Sequence, residues 1–499
     1  MKKLFDKHYL LTLAILLLFL IVSYVILLDS PVHPWRNAEL DRDSSVFQTM
    51  AFMMDKGYMP YRDSFDHKGP YLYILNWLGN QIAFYKGIWA IEFITIFFSL
   101  IALYKISRLC CDKLLSCITT LISTSLLIHF LQSGNYTEEY AIPLIAISQF
   151  IFLDYLLNNR VTKFRLVLCG FCFGATCLLR INMIAVWVVF GIGIFALCIV
   201  HKQYGDLRKF VLFFSLGICL IVIPIILWLG ANGALAGFWE DYIVFNREYT
   251  SASGGSATFN NKWTTFFFFF NNTIVILSML ITVYFLAISD KFLWGSYLCY
   301  LFLSLLSLSM SGMQYFHYGM VLIPVVSFPI AYLFRVLKKH EQAENQHLAF
   351  IVAAYFVGVI AMPNWLELGA EVAPIHSARE IVFRSYAADT ISQYIKNSTR
   401  EDDAISVYGN WDIIYLLSER IHATKYSYQF PICEVRPSIK SEYLEELEKE
   451  LPEIIVIQAG HYDSEISGFL DQNGYSLAWT EYDSLDGALL FELTTQKYN

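Results

Sequence analysis

Charged side chains are concentrated in one stretch between the first apolar segment of the chain and the second. Asp41 and Asp43 open this stretch, in DRDSSVFQTM. The following PYRDSFDHKGP adds Arg62, Asp63, Asp66, His67 and Lys68. Carboxylates can take a proton from a hydroxyl group, and cations can bind a phosphate. The stretch therefore predicts either a reaction centre of that kind or a salt-bridged surface loop.

Asp43 is predicted to lie at or just before a helix N-terminus. Ser45 and Gln48 have the spacing of a capping box, and apolar residues then recur at helical spacing. A carboxylate at such a terminus is stabilised by about 0.3–1 kcal/mol, so Asp43 should stay ionised. The helix is expected to lie on the membrane surface. A simple capping role is the alternative, which the nearby Glu39 and Asp41 weaken because a cap needs only one carboxylate.

The composition predicts an integral membrane protein. Of the 499 residues, 56% are hydrophobic and 16% are charged, and the mean hydropathy is +0.48. About eleven apolar runs are long enough to cross a bilayer, near 9–28, 85–107, 114–132, 138–157, 164–180, 182–200, 210–230, 264–288, 292–311, 315–335 and 347–364. Basic residues fall in alternate connections. We therefore expect a multi-pass protein of the cell membrane with a cytoplasmic N-terminus and the charged loop 29–84 outside.

The sequence from residue 365 to residue 499 differs in pattern from the rest. EIVFRSYAADTISQYIKN is typical of a helix, whereas AISVYG and EIIVIQ are typical of buried strands. These patterns predict a small extracytoplasmic α/β domain that follows a transmembrane domain of residues 1–364.

The expected chemistry has to work without a soluble nucleotide, since the sequence has neither a P-loop nor a dinucleotide fingerprint. A sugar linked through phosphate to a lipid meets this condition. Its leaving group is a stabilised phosphate anion, which needs cations rather than a proton donor. The acceptor hydroxyl needs one carboxylate as general base. A single displacement of this kind inverts the anomeric centre.

Three further sites lie at the predicted outer ends of helices. Glu138 and Glu139 begin a span in SGNYTEEYAIP, where they could also serve only the helix dipole. Arg180, in LLRINM, needs an anion near the membrane boundary, and a lipid phosphate is one candidate unless the side chain reaches the surface. His317, in MQYFHYGM, could bind phosphate or be an interfacial residue.

The motifs RDSSVF, PYRDSFDHKGP and NYTEEYA, together with the many helices and the outward C-terminal domain, resemble the GT-C fold of polyprenyl-phosphate-sugar-dependent glycosyltransferases. The chain is most similar to the family 39 group, which includes protein O-mannosyltransferases and lipid A aminoarabinose transferases, and within it to a bacterial envelope branch. The similarity covers the membrane part well and the C-terminal domain in outline. In the better-known relatives the catalytic Asp is usually followed by Glu, whereas Ser44 follows Asp43 here. The choice between Asp43 and Asp41 as the base therefore stays open.

The resemblance implies an inverting glycosyltransferase that moves a sugar from a polyprenyl-phosphate-linked donor to a cell-envelope glycan or another acceptor on the outer membrane face. The implied catalytic residues are Asp43 and Asp41. The implied donor-phosphate-binding residues are Lys68, Arg180, His317 and Arg62. The implied acceptor or second acidic site consists of Glu138, Glu139, Asp66 and His67. No set of metal ligands is assigned and the cofactor is unknown, although a divalent metal at the acidic positions is compatible with the resemblance. No nucleic-acid partner is expected.

Two other functions fit parts of the pattern. A transporter or flippase of lipid-linked sugars tends to carry charge at the bilayer midplane and internally repeated halves, and the sequence shows neither. A polymerase or ligase that moves oligosaccharides from a diphosphate-linked donor would keep the fold and change the donor.

Overall fold

A computed structural model of the chain describes residues 7–35, 40, 42–251, 258–341, 347–377, 386–482 and 487–494. Asp41, one of the two predicted catalytic residues, and the neighbouring Glu39 lie outside the described residues.

The predicted apolar runs are helical, although not every run forms one helix of spanning length. Eight helices among the described residues are long and apolar enough to cross a membrane: Tyr9–Asp29, Ile88–Ser107, Lys113–Phe130, Thr137–Asn158, Tyr204–Ala231, Lys291–Ser309, Phe316–Lys339 and Leu348–Gly369. The helices Phe259–Phe270 and Thr273–Ile288 are bent by 86° relative to each other. If they are counted as one broken span, their combined length and composition give a ninth span. The two remaining runs form the shorter helices Lys163–Cys177 and Trp187–Val200. The predicted polytopic helical membrane fold is confirmed.

Polar groups inside the helical part find partners within the protein. Gln149, in the span Thr137–Asn158, is fully buried and donates from its amide nitrogen to the Tyr297 hydroxyl at 2.9 Å and to the Pro324 carbonyl at 3.0 Å. An amide in an apolar surrounding costs several kcal/mol if it lacks such partners, roughly 2–7 kcal/mol. These bonds hold the span Thr137–Asn158 in place, and Glu138 and Glu139 lie at the start of that span.

The C-terminal part contains a mixed five-stranded sheet. Its strands are β1 Ala404–Tyr408, β2 Ile421–His422, β3 Ile454–Gln458, β4 Tyr475–Tyr482 and β5 Gly487–Leu493, in the order β2-β1-β3-β5-β4. The predicted strands AISVYG and EIIVIQ are β1 and β3. The pairs β1–β2 and β1–β3 are parallel, and β5 is antiparallel to both β3 and β4. Every residue of β3 is buried, as expected of a central strand that is covered on both faces. The accompanying helices are Tyr386–Ser398, Ile413–Ser418, Ile432–Val435, Ser438–Glu450 and Ser464–Gln472.

The chain forms two compact units, each made of three segments. The first unit consists of Met1–Asp29, Ala90–Ile225 and Ser256–Arg379. The second unit consists of Ser30–Trp89, Ile226–Gly255 and Glu380–Asn499. Besides the sheet and its helices, the second unit contains the helices Arg42–Asp55, Pro70–Ile82, Phe238–Val244 and Phe245–Ser251. The division at residue 364 stays a prediction.

Candidate active site

The predicted site residues fall into two groups, one in each unit. The loop cluster, in the second unit, comprises Asp43, Asp66, His67, Lys68 and the residues that hold them. The helix-end cluster, in the first unit, comprises Glu138, Glu139, Arg180 and His317.

The helix that carries Asp43 spans Arg42–Asp55, and Asp43 lies in its first turn, partly buried. All ten residues from Ser44 to Met53 are buried. The expectation of a helix on the membrane surface is therefore wrong, because the polar residues between the apolar ones are small or uncharged and can be covered by protein. Helix Ile413–Ser418 packs against it, and the Thr49 hydroxyl donates to the Asp412 carbonyl at 3.2 Å.

Asp66 is a buried carboxylate whose two oxygens are both in use. Its Oδ2 accepts from the Tyr73 hydroxyl at 2.9 Å, and its Oδ1 accepts from the Tyr428 hydroxyl at 2.9 Å and from the His67 backbone N–H at 2.7 Å. Burial, together with the charge of Asp66, raises the pKa of Tyr73 and of Tyr428 well above the ordinary value. Both hydroxyls therefore stay donors. The structure thus places Asp66 as an anchor of the loop that carries Lys68.

Lys68 is a half-buried cation beside this anchor. Its Nζ lies 3.0 Å from His67 Nε2 and 5.5 Å from the centroid of the Phe47 ring. Within the described part of the chain, no carboxylate oxygen lies within 4.0 Å of Lys68 Nζ, the distance limit for an ion pair. Phe47 lies one helical turn after Asp43, so the ammonium group lies beside the helix face that carries Asp43. An ammonium group in this position can bind an external anion.

His67 contacts the Lys68 ammonium group through its ring. The ammonium group has only protons to offer, so His67 Nε2 is the acceptor in their contact. The other ring nitrogen, Nδ1, lies 3.4 Å from Asp66 Oδ1. The ring stacks on Tyr249, with centroids 5.6 Å apart and planes at 20°. His67 is thus positioned to orient Lys68.

Arg62 is engaged within the second unit by its own neighbour. Its guanidinium group donates from Nε to Asp63 Oδ1 at 2.8 Å and from Nη2 to Asp63 Oδ2 at 2.7 Å. Its Nη1 donates to the Asn232 carbonyl at 2.9 Å. The structure therefore places Arg62 in a paired, largely exposed position.

Asp412 is a residue of the loop cluster that the sequence did not point to. Its side chain is fully buried, Oδ2 accepts from the Ser427 hydroxyl at 2.6 Å, and Oδ1 has no hydrogen-bond partner among the described residues. Burial raises the pKa of Asp412 to about 7, and the nearby Asp66 adds to the effect. Asp412 lies in the loop after the carboxyl end of β1, where ligands of α/β sheets commonly bind. In the sequence, the position of Asp412 in VYGNWD, directly after a predicted buried strand, could have indicated it as a candidate site residue.

In the helix-end cluster, Arg180 and Glu138 form an ion pair. Arg180 Nη1 donates to Glu138 Oε1 at 2.5 Å, and the guanidinium carbon lies 4.2 Å from the centroid of the Tyr318 ring. Glu138 is 2% exposed, and its Oε2 accepts from the Thr137 hydroxyl at 2.8 Å. The anion that Arg180 was predicted to need is therefore present in the protein.

His317 joins the same cluster from a third chain segment. Its Nδ1 lies 3.2 Å from Gln132 Oε1, and its ring stacks on Tyr136 with centroids 4.1 Å apart and planes at 4°. His317 is close enough to Glu138 to interact with it electrostatically. The structure thus brings together three predicted residues that lie far apart in sequence: Glu138, Arg180 and His317.

Glu139 lies beside another carboxylate, Glu92. Glu139 is fully buried, its Oε2 accepts from the Asn135 N–H at 2.9 Å, and its Oε1 has no hydrogen-bond partner among the residues described. A Cβ on Gly134 would lie 2.5 Å from Glu92 Oε1 and 3.7 Å from Glu139 Oε2, so both carboxylates face this turn. Sequence reasoning missed Glu92, although a single charge inside an apolar run is a recognised functional signal.

The described residues do not fit a divalent metal site. They contain no group of three or more His, Cys, Asp or Glu side chains that could hold a metal ion. Two of the acidic positions considered for a metal are engaged otherwise, Asp66 by tyrosine hydroxyls and Glu138 by Arg180.

Comparison with known proteins gives one family and several solved structures. The family model described as "Putative competence-induced protein Ccs4 N-terminal domain" matches residues 3–253. No curated protein matches the chain by sequence.

The structural matches extend over nearly the whole chain. The structure of ArnT from Cupriavidus metallidurans bound to undecaprenyl phosphate matches with a TM-score of 0.59 at 12% identity, covering 96% of this chain and 98% of that one. The archaeal oligosaccharyltransferase AglB from Archaeoglobus fulgidus, in complex with an inhibitory peptide and a dolichol-phosphate, matches with a TM-score of 0.53 at 12% identity. That match covers 99% of this chain and 75% of AglB. Similarity at this level establishes a common fold.

Proposed function

The chain belongs to the competence-induced Ccs4 N-terminal domain family and has the GT-C fold, and on that basis we propose that it is a membrane glycosyltransferase with a polyprenyl-phosphate-linked sugar donor. The acceptor is a hydroxyl group of a cell-envelope glycan or another molecule on the outer membrane face. In this proposal the N-terminus is cytoplasmic and the sheet-containing part lies outside the cell.

The position of Lys68 carries the proposal. It is a half-buried cation without a carboxylate within ion-pair distance among the described residues, and it lies beside the helix face that carries Asp43. Phosphate is a suitable anion, because a charge-assisted hydrogen bond is about twice as strong as a neutral one. The matched ArnT structure is bound to undecaprenyl phosphate and the matched AglB structure to a dolichol-phosphate, which supports the same class of ligand here.

The proposed reaction is a single displacement at the anomeric carbon. Asp43 takes the proton of the acceptor hydroxyl as its oxygen attacks. The bond between the anomeric carbon and the phosphate oxygen breaks, and the polyprenyl phosphate leaves as an anion held by Lys68. His67 and Asp66 position Lys68. The configuration of the anomeric carbon is inverted.

Transfer of an oligosaccharide from a diphosphate-linked donor is the second candidate. The match to an archaeal oligosaccharyltransferase favours it. Both reactions need a base and cations for the leaving group, so the choice of donor separates them.

The test uses the purified full-length chain in vesicles that contain a panel of polyprenyl-phosphate sugars and, separately, polyprenyl-diphosphate oligosaccharides. We expect transfer from the monophosphate donors. Asp43→Asn should reduce the rate by about 10²–10⁴-fold, the usual contribution of a general base.

Asp41→Asn is the comparison variant, since Asp41 is the other candidate base and the same change is made two residues away. A loss in the Asp41 variant with normal transfer by the Asp43 variant would assign the base to Asp41. Movement of intact donor across the bilayer, without transfer, would refute the proposal in favour of a flippase.

A further inference from the structure

A polar cavity lies at the end of the first unit opposite the helix-end cluster. Helix Lys113–Phe130 ends next to Gln132, which contacts His317, and helix Phe316–Lys339 runs back from there. The other ends of the two helices border a cavity of about 290 Å³. It is lined by Cys110, Cys111, Asp112, Leu115, Arg335, Lys338 and Lys339. This volume is near the lower limit of small-ligand pockets, roughly 300 Å³.

Three cations and one carboxylate line the cavity, and the carboxylate is already engaged. Asp112 Oδ1 caps the helix by accepting from the N–H groups of Leu114 and Leu115, each at 3.0 Å. Its Oδ2 pairs with the Lys338 ammonium. Asp112 therefore neutralises one cation and leaves a net positive cavity.

Arg335 and Lys339 make up that positive charge. Both are exposed, and no residue whose side chain the structure describes provides a carboxylate within 4.0 Å of either. The Arg335 guanidinium carbon lies 5.6 Å from the centroid of the Tyr332 ring. The two residues are one helical turn apart on the same face, where like charges destabilise a helix. An anion bound between them would remove this repulsion.

The turn that forms the opposite wall is fixed by hydrogen bonds. The Arg108 guanidinium donates to the Cys111 carbonyl. Cys111 Sγ donates to the Ala331 carbonyl at 3.0 Å, which ties the turn to the helix that carries Arg335. The cavity is therefore built from two chain segments held in register, whereas the positive-inside rule by itself requires only that cations be present in the loops.

We propose that this cavity binds the phosphate group of an anionic membrane lipid. The distribution of cations predicts that this end of the helices is cytoplasmic, and basic pockets between helices on that side recognise anionic headgroups. The ligand is held by Arg335 and Lys339, and the site is separate from the proposed transfer reaction.

The test measures lipid binding by the delipidated full-length protein in detergent. Short-chain phosphatidylglycerol, phosphatidylcholine and inorganic phosphate are titrated separately. We expect phosphatidylglycerol to bind more tightly than phosphatidylcholine. The double variant Arg335→Gln/Lys339→Gln should weaken its binding by about 25-fold, because each cation near an anionic lipid contributes about five-fold.

The double variant Arg208→Gln/Lys209→Gln is the control. It removes the same two charge types from exposed positions that do not line the cavity. If inorganic phosphate binds as tightly as phosphatidylglycerol, and if Arg335→Gln/Lys339→Gln but not the control weakens its binding, the cavity is a phosphate site whose ligand is a free phosphate. Equal binding by the two double variants, or equal binding of both lipids, would overturn the proposal.

Discussion

At the scale of single residues, Lys68 differs from the other predicted phosphate-binding cations. Arg62 is paired with Asp63, and Arg180 is paired with Glu138. Lys68 instead contacts the imidazole of His67 and the Phe47 ring. A cation that is already paired has to give up its partner before it can bind phosphate. Lys68 therefore provides the sharpest single-residue test of donor binding.

We predict that Lys68→Gln lowers the rate of sugar transfer by about 100-fold, since the variant loses one charged donor at the leaving group. The matched control is Lys56→Gln in the same unit, where Lys56 Nζ lies 3.6 Å from Glu401 at an exposed position. The control should transfer at the normal rate. Transfer assays in vesicles measure both variants, and equal rates would remove Lys68 from the site.

We expect the ionisation of Asp412 to affect how the free energy of unfolding depends on pH. Its pKa is raised to about 7, so between about pH 4 and pH 7 the folded protein keeps a proton that the unfolded chain has lost. This group therefore makes the free energy of unfolding fall as the pH rises through that window. His422 acts in the opposite direction, because burial lowers its pKa to about 4. The contribution of Asp412 is therefore isolated only by comparing the free energies of unfolding of an Asp412 variant and the wild type at each pH.

We predict that Asp412→Asn becomes more stable than the wild type as the pH rises from 4 to 8, by at most about 4 kcal/mol at the upper end. The exposed Asp471→Asn should show no such trend. Unfolding of the full-length protein, measured at several pH values, tests this. A constant difference between Asp412→Asn and the wild type at all pH values would contradict it.

At the scale of elements, the π-helical segment Phe238–Val244 closely approaches the loop that carries Lys68. A Cβ on Gly237 would lie 2.2 Å from the Tyr61 carbonyl oxygen. Asp241 in this segment forms an ion pair with Lys425 at 2.9 Å. Only a glycine allows this approach, and the approach in turn positions the loop.

We predict that Gly237→Ala destabilises the protein by about 1–3 kcal/mol, the usual cost of overpacking. Gly468→Ala is the control, because nothing lies within 4 Å of its added Cβ. This control should be neutral, or should gain up to about 1 kcal/mol from helix propensity. Thermal unfolding distinguishes the two, and similar transition temperatures would show that the segment can move without cost.

The elements also show what the sequence can and cannot predict. The length of an apolar run is enough to place helical structure, but eight of the about eleven predicted runs, or nine with the bent pair, form helices long and apolar enough to cross a membrane among the described residues. The 86° bend between Phe259–Phe270 and Thr273–Ile288 was not predicted, because it depends on packing rather than on hydropathy. Likewise, helix Arg42–Asp55 was expected on a membrane surface because its apolar face was visible in the sequence, whereas the protein that covers its other face was not.

The same limit applies to the site. Asp66, His67 and Lys68 are consecutive, so the sequence alone predicts that they are near one another. Tyr428 bonds to Asp66 from 362 residues away, and no local pattern predicts that contact. The convergence of Glu138, Arg180 and His317 was expected only from their shared position at outer helix ends. Glu92 was not predicted, although its position as a single charge within an apolar run was a signal for it.

At the scale of the whole molecule, the fold accounts for the distribution of charge along the sequence. Apolar helices form most of the first unit, and the charged loop lies in the second unit together with the sheet. The loop cluster and the helix-end cluster each contain carboxylates and cations in buried surroundings, where charge-assisted hydrogen bonds are strong.

The most direct measurement is the fate of a purified polyprenyl-phosphate sugar, labelled in the sugar, after incubation with the purified wild-type chain and envelope glycan in vesicles. We predict release of free polyprenyl phosphate and recovery of the label on the glycan with inverted anomeric configuration. Recovery of the intact labelled lipid at both membrane faces, or consumption of diphosphate-linked donors alone, would contradict the account.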